Sequence, residues 1–310
     1  MSKTLSAGKL LSLLSISFLL QAKPATAQEV GGYGFLKIPV SARAAALGGT
    51  LVSVVEPESS LADQNPALLC QEMINEVSLS YINYIADVNL GYASYTGNFL
   101  GNGAWQGAIR YVDYGSFAGY DQEGVYTGNF SAKDIAISAS VGYPINDRLN
   151  LGGTIRGIIT NYESYSAFAL GVDVGLNYYN EALGRSLSLV ATNLGGQIKR
   201  LDERYQKLPT QIAVGWTEEF EHLPICLTLT AHNLLDWDRK FIKHFSVGLE
   251  WIVNENIFFG GGYNFDNFSV GGGLKYRSWN FQCSYARYNS LDGSLNIGLS
   301  YKFGRTNSKN

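Results

Sequence analysis

Chemistry needs a few polar side chains brought together, so histidines, paired carboxylates, thiols and glycine runs are the first residues to weigh. His222, His232 and His244 lie on separate segments with no ligand-like spacing. His232 is expected to face an interior, and the other two to sit in solvated connections. Asp236-Trp237-Asp238 puts two carboxylates side by side, but a calcium site needs more oxygens than this stretch supplies. Cys70, Cys226 and Cys283 are too widely spaced for a disulfide framework or a metal motif. Gly260-Gly261-Gly262 and Gly271-Gly272-Gly273 look like phosphate loops only superficially, because each lies within a strand-like stretch and precedes no helix. No nucleophile elbow, Ser-His-Asp order or metal-hydrolase motif is present. The expectation is a protein with no catalytic residue, no cofactor and no metal.

The elements that would position such groups are strands. In Ser166–Tyr179, one phase reads Phe168, Leu170, Val172, Val174, Leu176 and Tyr178, and the other reads Ala167, Ala169, Gly171, Asp173, Gly175 and Asn177. Alternation puts these sets on opposite faces of a strand roughly twice the ordinary length. From Val77 onward the period of two persists. Strands are expected near 77–85, 88–96, 104–113, 134–143, 149–161, 166–179, 186–194, 210–218, 225–233, 245–253, 256–264, 268–277, 279–288 and 294–303. No helix of ordinary length interrupts them, which excludes βαβ architecture.

A greasy face can look into a soluble sandwich or out at lipid. The 310 residues begin with Lys3, Lys9, the apolar Leu10–Leu20 and a small-residue site at Ala25-Thr26-Ala27, an export leader over 1–27 cleaved near Ala27. Beyond it no apolar run approaches the length of a spanning helix. Arg110, Arg156, Asp173, Glu250 and Lys275 are expected well inside strands, all in the small, polar phase, so they become lumen charges if the other phase meets lipid. Tyr, Trp and Phe gather at strand ends, among them Tyr81, Tyr111, Trp251, Trp279 and Tyr301, as interfacial girdles do. Connections alternate between tight (144–148, 254–255, 278) and long (114–133, 195–209, 234–244), the pattern of periplasmic turns and outer loops. The fold expected is all-β, a transmembrane antiparallel barrel of about fourteen strands over 77–303, in the outer membrane. The formal net charge of −3 gives no reason for a nucleic-acid partner.

Residues 28–76 do not alternate. Ser41 can cap a short helix of Arg43, Ala44, Ala45, Ala46 and Leu47, ended by Gly48-Gly49, and Asn65-Pro66 marks a turn. The segment is too small for a core of its own, and its natural place is inside the barrel or across its mouth. Among the outer connections, 114–133 holds Phe117, Tyr120, Asp121 and Tyr126, and these aromatics suit either a protein interface or packing over the mouth. Connection 195–209 carries Arg200 and Arg204, and 234–244 carries Trp237; each is either a solvated loop or a docking surface.

Two motifs, IPVSARAAALGGT and DQNPALL, resemble the N-terminal hatch of the PorV/PorQ family of FadL-like outer-membrane barrels. The stretches YVDYGSFAGYDQEGVYTGNFSAKD, TNLGGQI and LPTQIAVG are most similar to the PorQ branch. The resemblance spans the mature chain and implies a fourteen-strand FadL-like barrel with an N-terminal plug. It assigns plug roles to Pro39, Ser41, Arg43, Leu47, Gly48, Gly49, Asn65 and Pro66, and supplies no catalytic residue. It further implies a non-enzymatic place in the type IX secretion system of Bacteroidetes-type bacteria, in the attachment complex with PorU, PorV and a PorZ-like partner held at the surface. The tail 304–310 departs from the usual barrel ending. The competing expectation is a FadL-like channel for hydrophobic small molecules, and Arg156 and Asp173 are expected to pair near the plug.

Overall fold

A computed structural model describes residues 32–120, 123–162, 165–200, 205–236, 240–289 and 292–304. The leader and residues 305–310 of the tail lie outside the described residues. Fourteen strands form one closed antiparallel ring in chain order. They are β1 (Glu76–Asn83), β2 (Asn89–Phe99), β3 (Gly103–Tyr120), β4 (Tyr126–Asn146), β5 (Leu149–Tyr162), β6 (Tyr165–Asn180) and β7 (Arg185–Lys199), then β8 (Gln211–Glu219), β9 (Ile225–Ala231), β10 (Phe245–Asn254), β11 (Ile257–Tyr263), β12 (Asn267–Tyr276), β13 (Trp279–Tyr288) and β14 (Gly293–Lys302). β1 closes the ring against β14 in an unbroken register from Glu76↔Lys302 to Asn83↔Leu295.

Alternation sorts the side chains as the strand pattern dictates. On β6, Leu170, Val172, Val174, Leu176 and Tyr178 are exposed on the outside, while Ala169, Asp173 and Asn177 are buried inside. The outward face of the neighbouring strands is equally apolar, with Ile137 55% and Ile155 65% exposed. A continuous apolar belt of this extent suits lipid and not water. Aromatics rim it: Trp279 packs on Tyr301 at 4.5 Å, and Tyr301 on Phe303 at 4.8 Å.

Two of the expected connections are different. Residues 114–133 are not a loop: β3 runs on to Tyr120, β4 starts at Tyr126, and Ser116–Tyr120 pairs with Ser131–Tyr126. Phe117, Tyr120 and Tyr126 therefore stand on a two-stranded ribbon. β-forming aromatics alternating with small residues extend the ladder, and a bulge at Gly115 (φ 83°) sets the ribbon off from the ring. β2 ends opposite Asp113 and β5 ends opposite Ala132, so the ribbon projects beyond both neighbours. Likewise β7 continues to Lys199, shortening the expected 195–209 connection. Lys275 sits at the penultimate residue of β12, not well inside it. The wall is tall over β3–β7 and low over β8–β14: β4 has 21 residues and β9 has 7.

Residues 32–75 lie within the ring as short turns. The helix α1 (Ala42–Ala46) starts at Ser41, whose Oγ accepts from the Ala44 N–H at 3.1 Å. It stops where Gly48 and Gly49 take φ of 94° and 90°, which frees the Gly49 N–H to close on the Ala44 carbonyl at 2.8 Å. Asn65 caps the 3-10 turn Pro66–Leu68 and ties its side chain to the Val52 carbonyl at 2.8 Å. The described segment starts at Gly32, against the side chain of Gln206 in the β7–β8 connection, and descends to the opposite end, where β1 begins.

The lumen-phase glycines explain how backbone can pack on backbone here. Gly142, Gly152 and Gly175 are cross-strand neighbours on β4, β5 and β6, and a methyl group on any of them would fall on Asn65, Pro66, Ala67 or Leu69. Gly248 and Gly262 receive Leu47 and Gly48 in the same way. Within the glycine runs, Gly260, Gly262 and Gly271 are seats for the interior segment.

Gly152→Val is expected to cost more than about 3 kcal/mol by overpacking against Pro66 and Ala67, whereas Gly153→Val, on the outer face, changes stability by under about 1 kcal/mol. Heat-modifiable migration of the two variants on a gel checks this.

Candidate functional site

Two buried ion networks join the interior segment to the barrel wall. In the first, the Arg43 guanidinium donates to Glu250 at 2.5–3.2 Å and to Glu56 at 3.2 Å, with Glu58 at 3.8 Å. It also lies 4.5 Å above the Phe258 ring. Glu58 accepts from Ser41 at 2.5 Å and from Gln282 at 2.8 Å, and Glu56 accepts from Lys275 at 2.5 Å. Ser41 thus caps α1 and fixes a carboxylate with the same oxygen. Burial opposes charge on Arg43, but Glu250 and Glu58 override it and hold the guanidinium charged. Burial also works against the Glu56 carboxylate, yet Arg43 and Lys275 hold its carboxyl below the usual range.

The second network centres on Asp63, which pairs with Arg110 and lies 3.4 Å from Arg156. Arg110 also donates to the Phe35 carbonyl at 2.7 Å. Arg156 reaches Asp173 at 3.1 Å, so these two residues share the interior and meet beside the segment. The other Asp173 oxygen accepts from the Asn193 N–H at 2.6 Å, at a bulge of β7 where Asn193 has φ 56°. This network joins two cations, Arg110 and Arg156, with two carboxylates, Asp63 and Asp173, which neutralise one another.

The remaining plug-motif residues are structural contacts. The Pro39 carbonyl accepts from Asn296 at 3.1 Å, Leu47 is buried against the glycine seats, and the Gly48 N–H donates to Ser269 at 3.2 Å. Sequence reasoning missed Glu56, Glu58 and Asp63, the partners that the wall charges require. Their signal was the presence of acids within an otherwise small and apolar stretch.

At the outer end, Phe117 is exposed and stacked on Phe130 with centroids 5.5 Å apart, and the exposed Tyr126 donates to Asn129 at 2.9 Å. Arg200 lies 5.6 Å over the Tyr205 ring. Asp121, Arg204 and Trp237 lie outside the described residues. His244 is in a connection as expected but buried, not solvated, because its Nδ1 meets the His232 carbonyl at 3.0 Å. Among the described residues no group of His, Cys, Asp and Glu could hold a metal ion.

The sequence of residues 147–303 matches the family model described as type IX secretion system membrane protein PorP/SprF. The chain belongs to that family. It is accordingly an outer-membrane barrel component of type IX secretion. The structure resembles the Ralstonia pickettii toluene transporter TbuX, with TM-score 0.60 and 13% identity over 87% of this chain and 100% of that one. It also resembles a deletion mutant of the monoaromatic hydrocarbon channel TodX (TM-score 0.57, 12% identity, 84% of this chain and 97% of that one). A Pseudomonas aeruginosa FadL homologue matches at TM-score 0.52 and 11% identity, over 84% of this chain and 98% of that one. At these identities the likeness shows the FadL-like fold alone. No curated protein matches the sequence. Membership of the PorP/SprF family, with a barrel fold shared with transporters, is consistent with a protein that is not an enzyme.

Arg43→Met leaves Glu250 and Glu58 buried without their cation, and is expected to lose about 3–5 kcal/mol, read as a lower temperature for the gel-mobility transition. Glu56 predicts a pH effect. Its folded value is depressed, so its contribution is complete above the unfolded value of about 4.3 and disappears as pH falls through the folded value. The stability difference between wild type and Glu56→Gln should therefore shrink below about pH 4, measured as melting midpoints across pH.

Proposed function

We propose that this PorP/SprF-family barrel acts as a PorV/PorQ-type, most nearly PorQ-type, anchor. It would hold a PorZ-like protein at the cell surface within the attachment complex that also contains PorU and PorV. The observation that carries the reading is the β3–β4 ribbon. It projects beyond both neighbouring strands and exposes Phe117 and Tyr126, with Phe130 half-buried and stacked on Phe117. A two-stranded ribbon is marginal in water by itself, and exposed aromatics on it suit a protein partner. Arg200 and Tyr205 belong to the same outer rim. In this reading residues 1–27 are removed near Ala27, 28–76 form a fixed plug, 77–303 the barrel and 304–310 a tail.

The second reading is a FadL-like channel for hydrophobic small molecules, suggested by the likeness to a toluene transporter and a monoaromatic hydrocarbon channel. Against it stand the charged interior and the Arg43 and Asp63 networks, which a passing hydrocarbon would have to break.

Tagged barrel solubilised from outer membranes should bring down a PorZ-like protein. Phe117→Ser with Phe130→Ser should cut the recovery at least about tenfold while the barrel keeps its heat-modifiable migration. Repeated failure of the wild-type barrel to recover such a protein sinks the anchor reading.

A further inference from the structure

The β3–β4 ribbon has an edge that no described strand covers. β2 ends opposite Asp113 and β5 ends opposite Ala132, so above them the two strands pair only with each other among the described residues. In an antiparallel pair every second residue turns both its N–H and its C=O away from the partner strand. Along Ser116–Gly119 of β3 those groups face no other described strand. The row starts at Ser116, because the Gly115 N–H just below it already donates to the Asp113 Oδ1 at 2.9 Å. The approach is open. A methyl group placed on Gly115 would meet no atom within 4 Å, and one placed on Gly119 would meet only Thr127, Gly128 and Phe130 of the ribbon's own second strand.

Open edges invite pairing, and proteins blunt them with lysine, proline or a covering element. Ser116-Phe117-Ala118-Gly119-Tyr120 carries no charge and no proline, and Ser116, Phe117 and Ala118 are exposed. A row of backbone donors and acceptors is matched by another extended backbone, which makes the occupant a peptide strand. The side chains narrow it further. Phe117 and Phe130 form one cross-strand row with ring centroids 5.5 Å apart. A third strand would place a residue beside Phe117 in that row, and an apolar one would cover the exposed part of the ring. A second copy of this chain does not fit. Two barrels in one membrane are related by a two-fold axis along its normal, and like edges meeting about that axis oppose N–H to N–H and C=O to C=O at every height.

We propose that the β3 edge of the ribbon holds its protein partner by strand addition. An extended segment of the partner, with an apolar side chain beside Phe117, pairs with the backbone of Ser116–Tyr120 as a third strand. Such a contact is about 17 Å long and turns a marginal two-stranded ribbon into a three-stranded sheet with one apolar row. Backbone pairing supplies the attachment, and the position beside Phe117 supplies the selectivity. The inference rests on the anchor reading and adds how the partner is gripped.

The test is residue-resolved amide hydrogen exchange of the full-length barrel in detergent, alone and with the purified PorZ-like protein of the same bacterium at about 100 times its Kd. In the barrel alone, every second amide of Ser116–Tyr120 is expected to exchange freely. With the partner bound, those same amides should slow by about a hundredfold, while the amides of Thr127–Ser131 on the β4 edge do not change. Binding that slows neither edge, slows only the β4 edge, or slows the whole ribbon without alternation overturns strand addition and leaves the anchor reading standing. Alternating protection that appears in the barrel alone as its concentration rises assigns the edge to further copies in an open array, and also overturns the proposal. Absence of binding by the PorZ-like protein overturns the anchor reading and this inference together.

Discussion

A buried guanidinium must find carboxylates, and inside a ring surrounded by lipid it has few places to find them. Arg43 finds Glu250 on the wall and Glu56 and Glu58 on its own segment. Arg110 and Arg156 on the wall find Asp63 on the segment. Each half of the structure thus carries charges that are tolerable only when the other half is in place. Such networks contribute little net stability against an apolar replacement, but they are intolerant of separation. That makes the interior segment a fixed part of the barrel's core and not a passenger within it.

The glycine seats supply what the charges cannot, namely proximity. Arg43 reaches Glu250 because α1 lies directly on the strand backbone at Gly248 and Gly262. Asp63 reaches Arg110 and Arg156 because the turn that follows it lies on Gly142, Gly152 and Gly175. Small residues and ions therefore work as one device. The first removes side-chain thickness, and the second uses the short distance that results.

Much of this was legible in the sequence. Alternation over more than two hundred residues marks the strands, and Asp173 on the polar phase of β6 identifies which face looks inward. Ser41 and Gly48-Gly49 bracket α1 to within a residue. The β3–β4 ribbon was not legible because Gly115, Gly119, Gly124 and Gly128 read as loop residues; Gly119 and Gly128 in fact pair across the two strands, Gly115 forms the bulge and Gly124 lies in the short connection. Glu56, Glu58 and Asp63 were passed over for a different reason. Arg43, Arg110, Arg156 and Lys275 outnumber Asp173 and Glu250 in the interior, and that imbalance, visible in the sequence, demanded further acids. Spacing alone does not say where they lie; charge balance would have pointed to the only interior stretch not yet assigned.

The closure of β1 on β14 has a consequence for biogenesis. The ladder from Glu76↔Lys302 to Asn83↔Leu295 leaves no passage through which a folded segment of this size could enter sideways. Residues 32–75 precede β1 and run the height of the ring, so they have to be laid against β4–β6 and β10–β13 while the sheet is still an open trough. Pairing of the β1–β14 seam then follows the seating of the segment. The order of assembly is thereby written into the topology: contents first, container second. A defect in the interior segment would be felt as a sheet that never leaves its assembly machinery, before it is felt as a barrel that melts early.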